Sequence, residues 1–164
     1  MTAHIVPAPD GEVRRAFTTA EFELMSQVGI IGEDENVELI EGEIIPMASK
    51  NHVHERVKSG LNLAIARQLP AELWLGIETS LRVTTMSLVE PDLSIYPKHL
   101  RLEAVRGPDL LLAIEVSDTS FRFDKGRKAA LYASIGVQEL WVVEANERTT
   151  SFIPSLPRPV GGVS

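Results

Sequence analysis

Two carboxylates stand where an extended chain normally buries apolar side chains. Asp92 opens the strand-like run EPDLSIYP, and 23 residues later Glu115 interrupts DLLLAIEVSDTS. A carboxylate removed from water without a partner costs several kcal/mol or gives up its charge, so two such insertions call for a cation between them. Carboxylates on neighbouring strands suit Mg²⁺, which takes few protein oxygens and keeps much of its hydration. By residue type alone, each acid also fits the outward face of an edge strand.

Lys128 is the third candidate. It shares the i, i+3, i+4, i+7 stripe of a helix with Leu131, Tyr132 and Ile135, the residues expected to pack on a sheet. A lysine in the first turns of a helix is disfavoured by the macrodipole, and here it leans on an apolar surface; carboxylates at the sheet end would relieve both problems. The spacing equally allows Lys128 to snorkel to water or to pair with Asp124, four residues earlier. Beside Asp92 and Glu115, a lysine can orient or deprotonate a water, or offset charge on a phosphate that a metal polarises. That combination is the chemistry of phosphodiester hydrolysis.

The elements that must position these residues can be read from pattern. Thr18 and Glu21 are spaced as a capping box, and a short helix from Ala20 to Val28 stops at Gly29. VELIEGEII reads as a hairpin turning at Glu41-Gly42. Apolar residues at three- and four-residue intervals, Val53, Val57, Leu61, Ala64 and Ile65, mark an amphipathic helix stopped by Pro70. LWLGIET, LRVTT and DLSIYP suggest a meander of strands. LLLAIEV is a continuous apolar run of the kind covered on both faces. Asp124 can cap a helix to Ile135 with Gly136 just beyond, and ELWVVEA is a further strand. Strand, helix and strand in that order make a βαβ crossover and a parallel pair. The fold class is therefore α/β or α+β with a mixed sheet.

The 164 residues fit one domain. Residues 1–16 read as a loose leader, 17–153 as the domain, and 154–164, within the Pro- and Gly-rich SFIPSLPRPVGGVS, as an irregular tail. Without cysteine there is no disulfide or zinc-thiolate scaffold. No apolar run approaches the roughly 20 residues of a membrane helix, and the N-terminus is not patterned as a secretory signal, which points to the cytoplasm. The net charge of −7 argues against nucleic acid, but its distribution does not. Residues 1–50 hold ten acids and three bases, whereas residues 98–128 hold seven bases and five acids.

EPDLSIYP, IEVSDTS and DKGRKAALYASIGVQELWVVE, in this order and spacing, resemble the Uma2 family of endonucleases in the PD-(D/E)XK restriction-endonuclease-like superfamily. The resemblance extends back through VELIEGEIIPM to cover roughly residues 17–145. It implies a central mixed sheet flanked by helices, a Mg²⁺ or Mn²⁺ cofactor and hydrolysis of nucleic acid, DNA before RNA. It aligns Asp92 with the aspartate of the PD motif and Glu115 with the acid of the (D/E)XK half-motif, and it implies a metal contact from the Val116 main-chain carbonyl. Ser117 occupies the place of the usual lysine; Lys128 matches the lysine that related families carry on the next helix. Glu38 matches a family acid that contacts the metal directly or through water. His54 matches a family histidine able to orient water or phosphate, with His52 as its lesser substitute.

Asp124 is expected to set the position of Lys128, and Asp118, Thr119 and Ser120 to shape the turn after the strand. Tyr132 and Trp141 read as core. The competing expectation is a catalytically silent nucleic-acid-binding or protein-interaction module on the same fold, which the acidic first third favours. The weak charge of one subunit also suggests a homodimer, which would place two sites on two strands.

Overall fold

Apolar runs and turn residues divide the chain into short elements, and the computed structural model describes residues 4–7, 12–47, 50–117, 124–146 and 149–154. In order they are β1 (His4–Pro7), β2 (Val13–Ala16), α1 (Thr19–Gln27), β3 (Val37–Ile40), β4 (Glu43–Pro46) and α2 (His52–Ala66). Then come β5 (Leu73–Ile77), β6 (Leu81–Thr84), β7 (Ser87–Val89), β8 (Leu93–Pro97) and β9 (Leu112–Ser117). A π-helical turn, Asp124–Lys128, leads into α3 (Ala129–Ser134), and β10 (Glu139–Glu144) and β11 (Thr149–Pro154) finish the described chain. Among the described residues no helix is long and apolar enough to cross a membrane.

The continuous apolar run around Glu115 becomes the central strand of a five-stranded sheet ordered β11-β10-β9-β8-β5. Every residue of β9 is buried, as a strand covered on both faces requires. β9 and β10 are parallel, joined through α3, and the other neighbours are antiparallel, so the sheet is mixed. Side chains alternate between its faces. Leu93, Leu112, Ile114 and Val143 meet Val57, Leu61 and Ile65 of α2 on one face. Tyr96, Ala113, Leu140 and Val142 meet Ala129, Leu131 and Tyr132 on the other, together with Ile40, Leu81 and Val89 of a second sheet. That four-stranded sheet, β4-β3-β7-β6, carries Glu38.

Local expectations hold where side chains cap or turn the chain. Thr18 and Glu21 form both halves of the capping box on α1. Glu41 and Gly42, at φ 52° and 84°, make the two-residue turn between β3 and β4. Gly42 is also needed for space, because a Cβ there would stand 2.6 Å from that of Ala16.

Three expectations require correction. The leader is not uniformly loose: β1 and β2 pair as an antiparallel hairpin from His4↔Ala16 to Pro7↔Val13. Pro154, placed in the irregular tail, instead closes β11 on the sheet edge, where proline is tolerated, and residues 155–164 lie outside the described residues. The meander does not form, because β5 pairs with β8 while β6 pairs with a strand not foreseen, β7. The turn between β6 and β7 has no Gly or Pro to mark it. The turn residues Asp118, Thr119 and Ser120 lie outside the described residues.

Candidate active site

One end of the main sheet presents acids on three neighbouring strands. The last paired residues are Ile77↔Leu93 and Leu93↔Ile114. The next residue on each strand is Glu78, Asp92 and Glu115, and the Glu78 N–H donates to the Asp92 carbonyl at 3.1 Å.

Asp92 lies at the bend before β8 and is 5% exposed, so its carboxylate is held by neighbours instead of by a ladder. Oδ2 accepts the main-chain N–H of Val116 at 2.8 Å, and His54 Nε2 approaches it at 3.2 Å. A strand residue's N–H and C=O face the same edge, so the Val116 carbonyl opens on the side where Asp92 stands. His54 is placed by the cap of α2, where the Asn51 side chain accepts from the N–H groups of Val53 and His54. The hydrogen bond to Asp92, with that carboxylate's charge, raises the His54 pKa above its ordinary value against the opposing effect of burial. His52, two residues earlier and so on another side of α2, is exposed.

Glu115, like Ala113, points to the side of the sheet that α3 covers. Its Oε1 takes Lys128 Nζ at 2.9 Å and the Tyr132 hydroxyl at 2.7 Å. Lys128 Nζ also lies 2.9 Å from Glu38 Oε2, and Glu38 Oε1 accepts the Glu90 N–H at 2.7 Å. Lys128 is 3% exposed, which excludes snorkelling. It joins the two sheets through one carboxylate from each. The π-helical turn that ends on Lys128 is pinned by its neighbour: Arg127 reaches Glu43 at 2.6 Å, Glu41 at 3.3 Å and the Ile40 carbonyl at 3.1 Å. Such π-turns cluster at functional sites, where an extra residue re-aims a side chain. The side chain of Asp124 lies outside the described residues.

The structure thus forms two clusters at this end of the sheet, Asp92 with His54 and the Val116 N–H, and Glu115 with Lys128, Glu38 and Tyr132. Sequence reading missed three contacts. Tyr132 is core as expected, at 1% exposed, yet its hydroxyl reaches Glu115. Lys58, one turn after His54, is 7% exposed and is ion-paired with Glu55 and Glu78. Glu78 also holds Lys50 at 2.8 Å. The i, i+4 spacing of His54 and Lys58 was the available signal; nothing local marks Glu78.

Hydrogen bonds from Lys50 and Lys58 lower the Glu78 pKa from the usual carboxylate range to about 2. A carboxyl whose pKa is depressed by folding contributes stability present above its unfolded value and lost as pH falls through the folded one. Glu78→Gln is therefore expected to melt below the parent protein at pH 7. The gap should narrow as pH drops from about 4.5 towards about 2, read by thermal melts across that window.

The donor set fits a hard divalent ion. Two carboxylates and a main-chain carbonyl would offer oxygen atoms, few in number, the donor type that Mg²⁺ and Mn²⁺ accept with water completing the shell. Among the described residues no group of three or more His, Asp or Glu side chains gathers as a metal-holding cluster.

The family model described as "Uma2: Putative restriction endonuclease" matches residues 19–153. Among solved structures, the chain is similar to a "putative nuclease belonging to DUF820" from Anabaena variabilis. The two share 15% identity over 90% of this chain and 89% of that one, with a TM-score of 0.59, a likeness of fold. No curated protein matches the chain.

Proposed function

The chain belongs to the Uma2 family, and from that premise we propose that it is a metal-dependent endonuclease hydrolysing phosphodiester bonds in DNA. The observation that carries the reading is Lys128, buried between Glu38 and Glu115 at the sheet end where Asp92 also stands. A buried lysine shared by two carboxylates is a costly arrangement for a purely structural role, since apolar side chains fill such space as well or better.

Asp92, Glu115 and the Val116 carbonyl would hold Mg²⁺ or Mn²⁺. Such an ion, when bound, polarises the scissile phosphate and acidifies a water. Lys128, ion-paired with two carboxylates, orients the attacking water and offsets charge developing on the phosphate. Glu38 and Tyr132 fix Lys128 and Glu115 respectively, and Glu38 can reach the metal through water. His54 orients the Asp92 carboxylate through Nε2, while its Nδ1 lies 3.3 Å from Glu55. Asp124, at the start of the turn that ends on Lys128, helps set that lysine's position. A cytoplasmic location goes with a DNA substrate, and a homodimer would present two such sites to the two strands.

Incubation with supercoiled plasmid tests the reading. Nicking is expected with Mg²⁺ or Mn²⁺ and none with EDTA. DNA binding without cleavage under either metal would instead indicate the silent module, and RNA run in parallel tests the choice of DNA.

A further inference from the structure

Glu78 carries three features that the end of an edge strand does not require. Its φ is 48°, in the left-handed region that glycine or asparagine adopts at lower cost. Its N–H donates to the Asp92 carbonyl at 3.1 Å. Its carboxylate gathers Lys50 and the buried Lys58. A surface ion pair alone would need neither the left-handed backbone nor a lysine sunk into the inner side of a helix. Backbone strain at a non-glycine residue persists where the surroundings over-determine it, most often near functional sites.

Both connections lead to Asp92. One is the main-chain bond across the strand ends. The other runs through Lys58 to α2, whose preceding turn carries His54 against the Asp92 carboxylate. Asp92 needs such support, because it precedes the first ladder pair of β8 and follows Pro91, which has no N–H. We propose that Glu78 is a positioning residue. Through Lys58 and its own main chain it fixes both the Asp92 carboxylate and the α2 face that meets it, in the geometry that metal binding requires. This rests on the reading of Asp92 as a metal ligand.

The test compares the full chain with its Glu78→Gln variant, which keeps the size and the main-chain bond, by Mn²⁺ calorimetry, cleavage kinetics and melting of the metal-free protein. Expected are a 10- to 100-fold loss in Mn²⁺ affinity and in kcat, the usual cost of removing a support of metal ligands, with KM for DNA within about twofold. Lys58→Met should show the same losses, Lys58→Arg should restore most of them, and the Glu78→Gln/Lys58→Met double variant should be no worse than either single one. Mn²⁺ affinity and kcat at parental values in Glu78→Gln overturn the proposal, even if the melting temperature falls. If that variant does not fold, parental values in Lys58→Met overturn it equally. A parent protein that neither takes up Mn²⁺ nor cleaves DNA sinks the metal-site reading and this proposal together. A competent parent with an indifferent Glu78→Gln sinks this proposal alone.

Discussion

Asp92→Asn and Glu115→Gln are each expected to lower metal-dependent cleavage by at least about a hundred- to a thousandfold, the scale seen when a charge-stabilising group is removed from a reaction centre. Both substitutions keep shape and remove charge. The amide placed at position 92 can still accept the Val116 N–H through its oxygen, and the amide placed at position 115 can still accept the Tyr132 hydroxyl. The strands that end at these positions therefore keep their hydrogen bonds. Lys128 keeps Glu38 in the Glu115→Gln variant. The fold should survive, with circular dichroism unchanged, while Mn²⁺ affinity falls. Retention of more than about a tenth of parental activity in both variants would contradict the metal-ligand assignment.

Lys128→Met should lose activity and stability together. Lys128 is buried against Glu38 and Glu115, each 4% exposed or less, and the substitution removes the cation both carboxylates touch. Breaking a buried pair by removing one partner costs about 3–5 kcal/mol, which for a chain of this size is a fall of roughly 6–20 °C in melting temperature. Removing one of the carboxylates as well separates the two effects. Lys128→Met/Glu38→Leu should recover part of the lost stability, because less uncompensated charge is buried, and none of the activity. Equal stability of parent and Lys128→Met in urea unfolding would show that the pair is not the buried one described.

Much of this site is legible because its residues break a local rule. Glu115 is an acid interrupting a continuous apolar run, and Lys128 is a cation on a helix stripe that otherwise faces the core; both anomalies are visible without a structure. The capping box at Thr18 and the Glu41-Gly42 turn are equally local, each set by a few consecutive residues, and the β9–α3–β10 crossover follows from the order of three patterned segments. What escapes is set by register between distant segments. Glu78 falls beside Asp92 only because β5 pairs with β8, and no composition signal reports that pairing. Lys58 shares the inner stripe of α2 with His54, Leu61 and Ile65, a place for an apolar residue, and the partner that lets a cation stay buried there, Glu78, meets it from a distant strand end. Tyr132 reads as core from its ring, and its hydroxyl direction depends on how α3 lies over β9. The β6–β7 turn escapes for want of glycine or proline.

The most direct measurement of the central claim is a crystal soaked in Mn²⁺ and recorded at the manganese absorption edge. An anomalous peak bonded to carboxylate oxygens of Asp92 and Glu115, and lost in Glu115→Gln crystals, is the predicted result. Full Mn²⁺ exposure with no peak at the ends of β8 and β9, or a peak held by other residues, would contradict it.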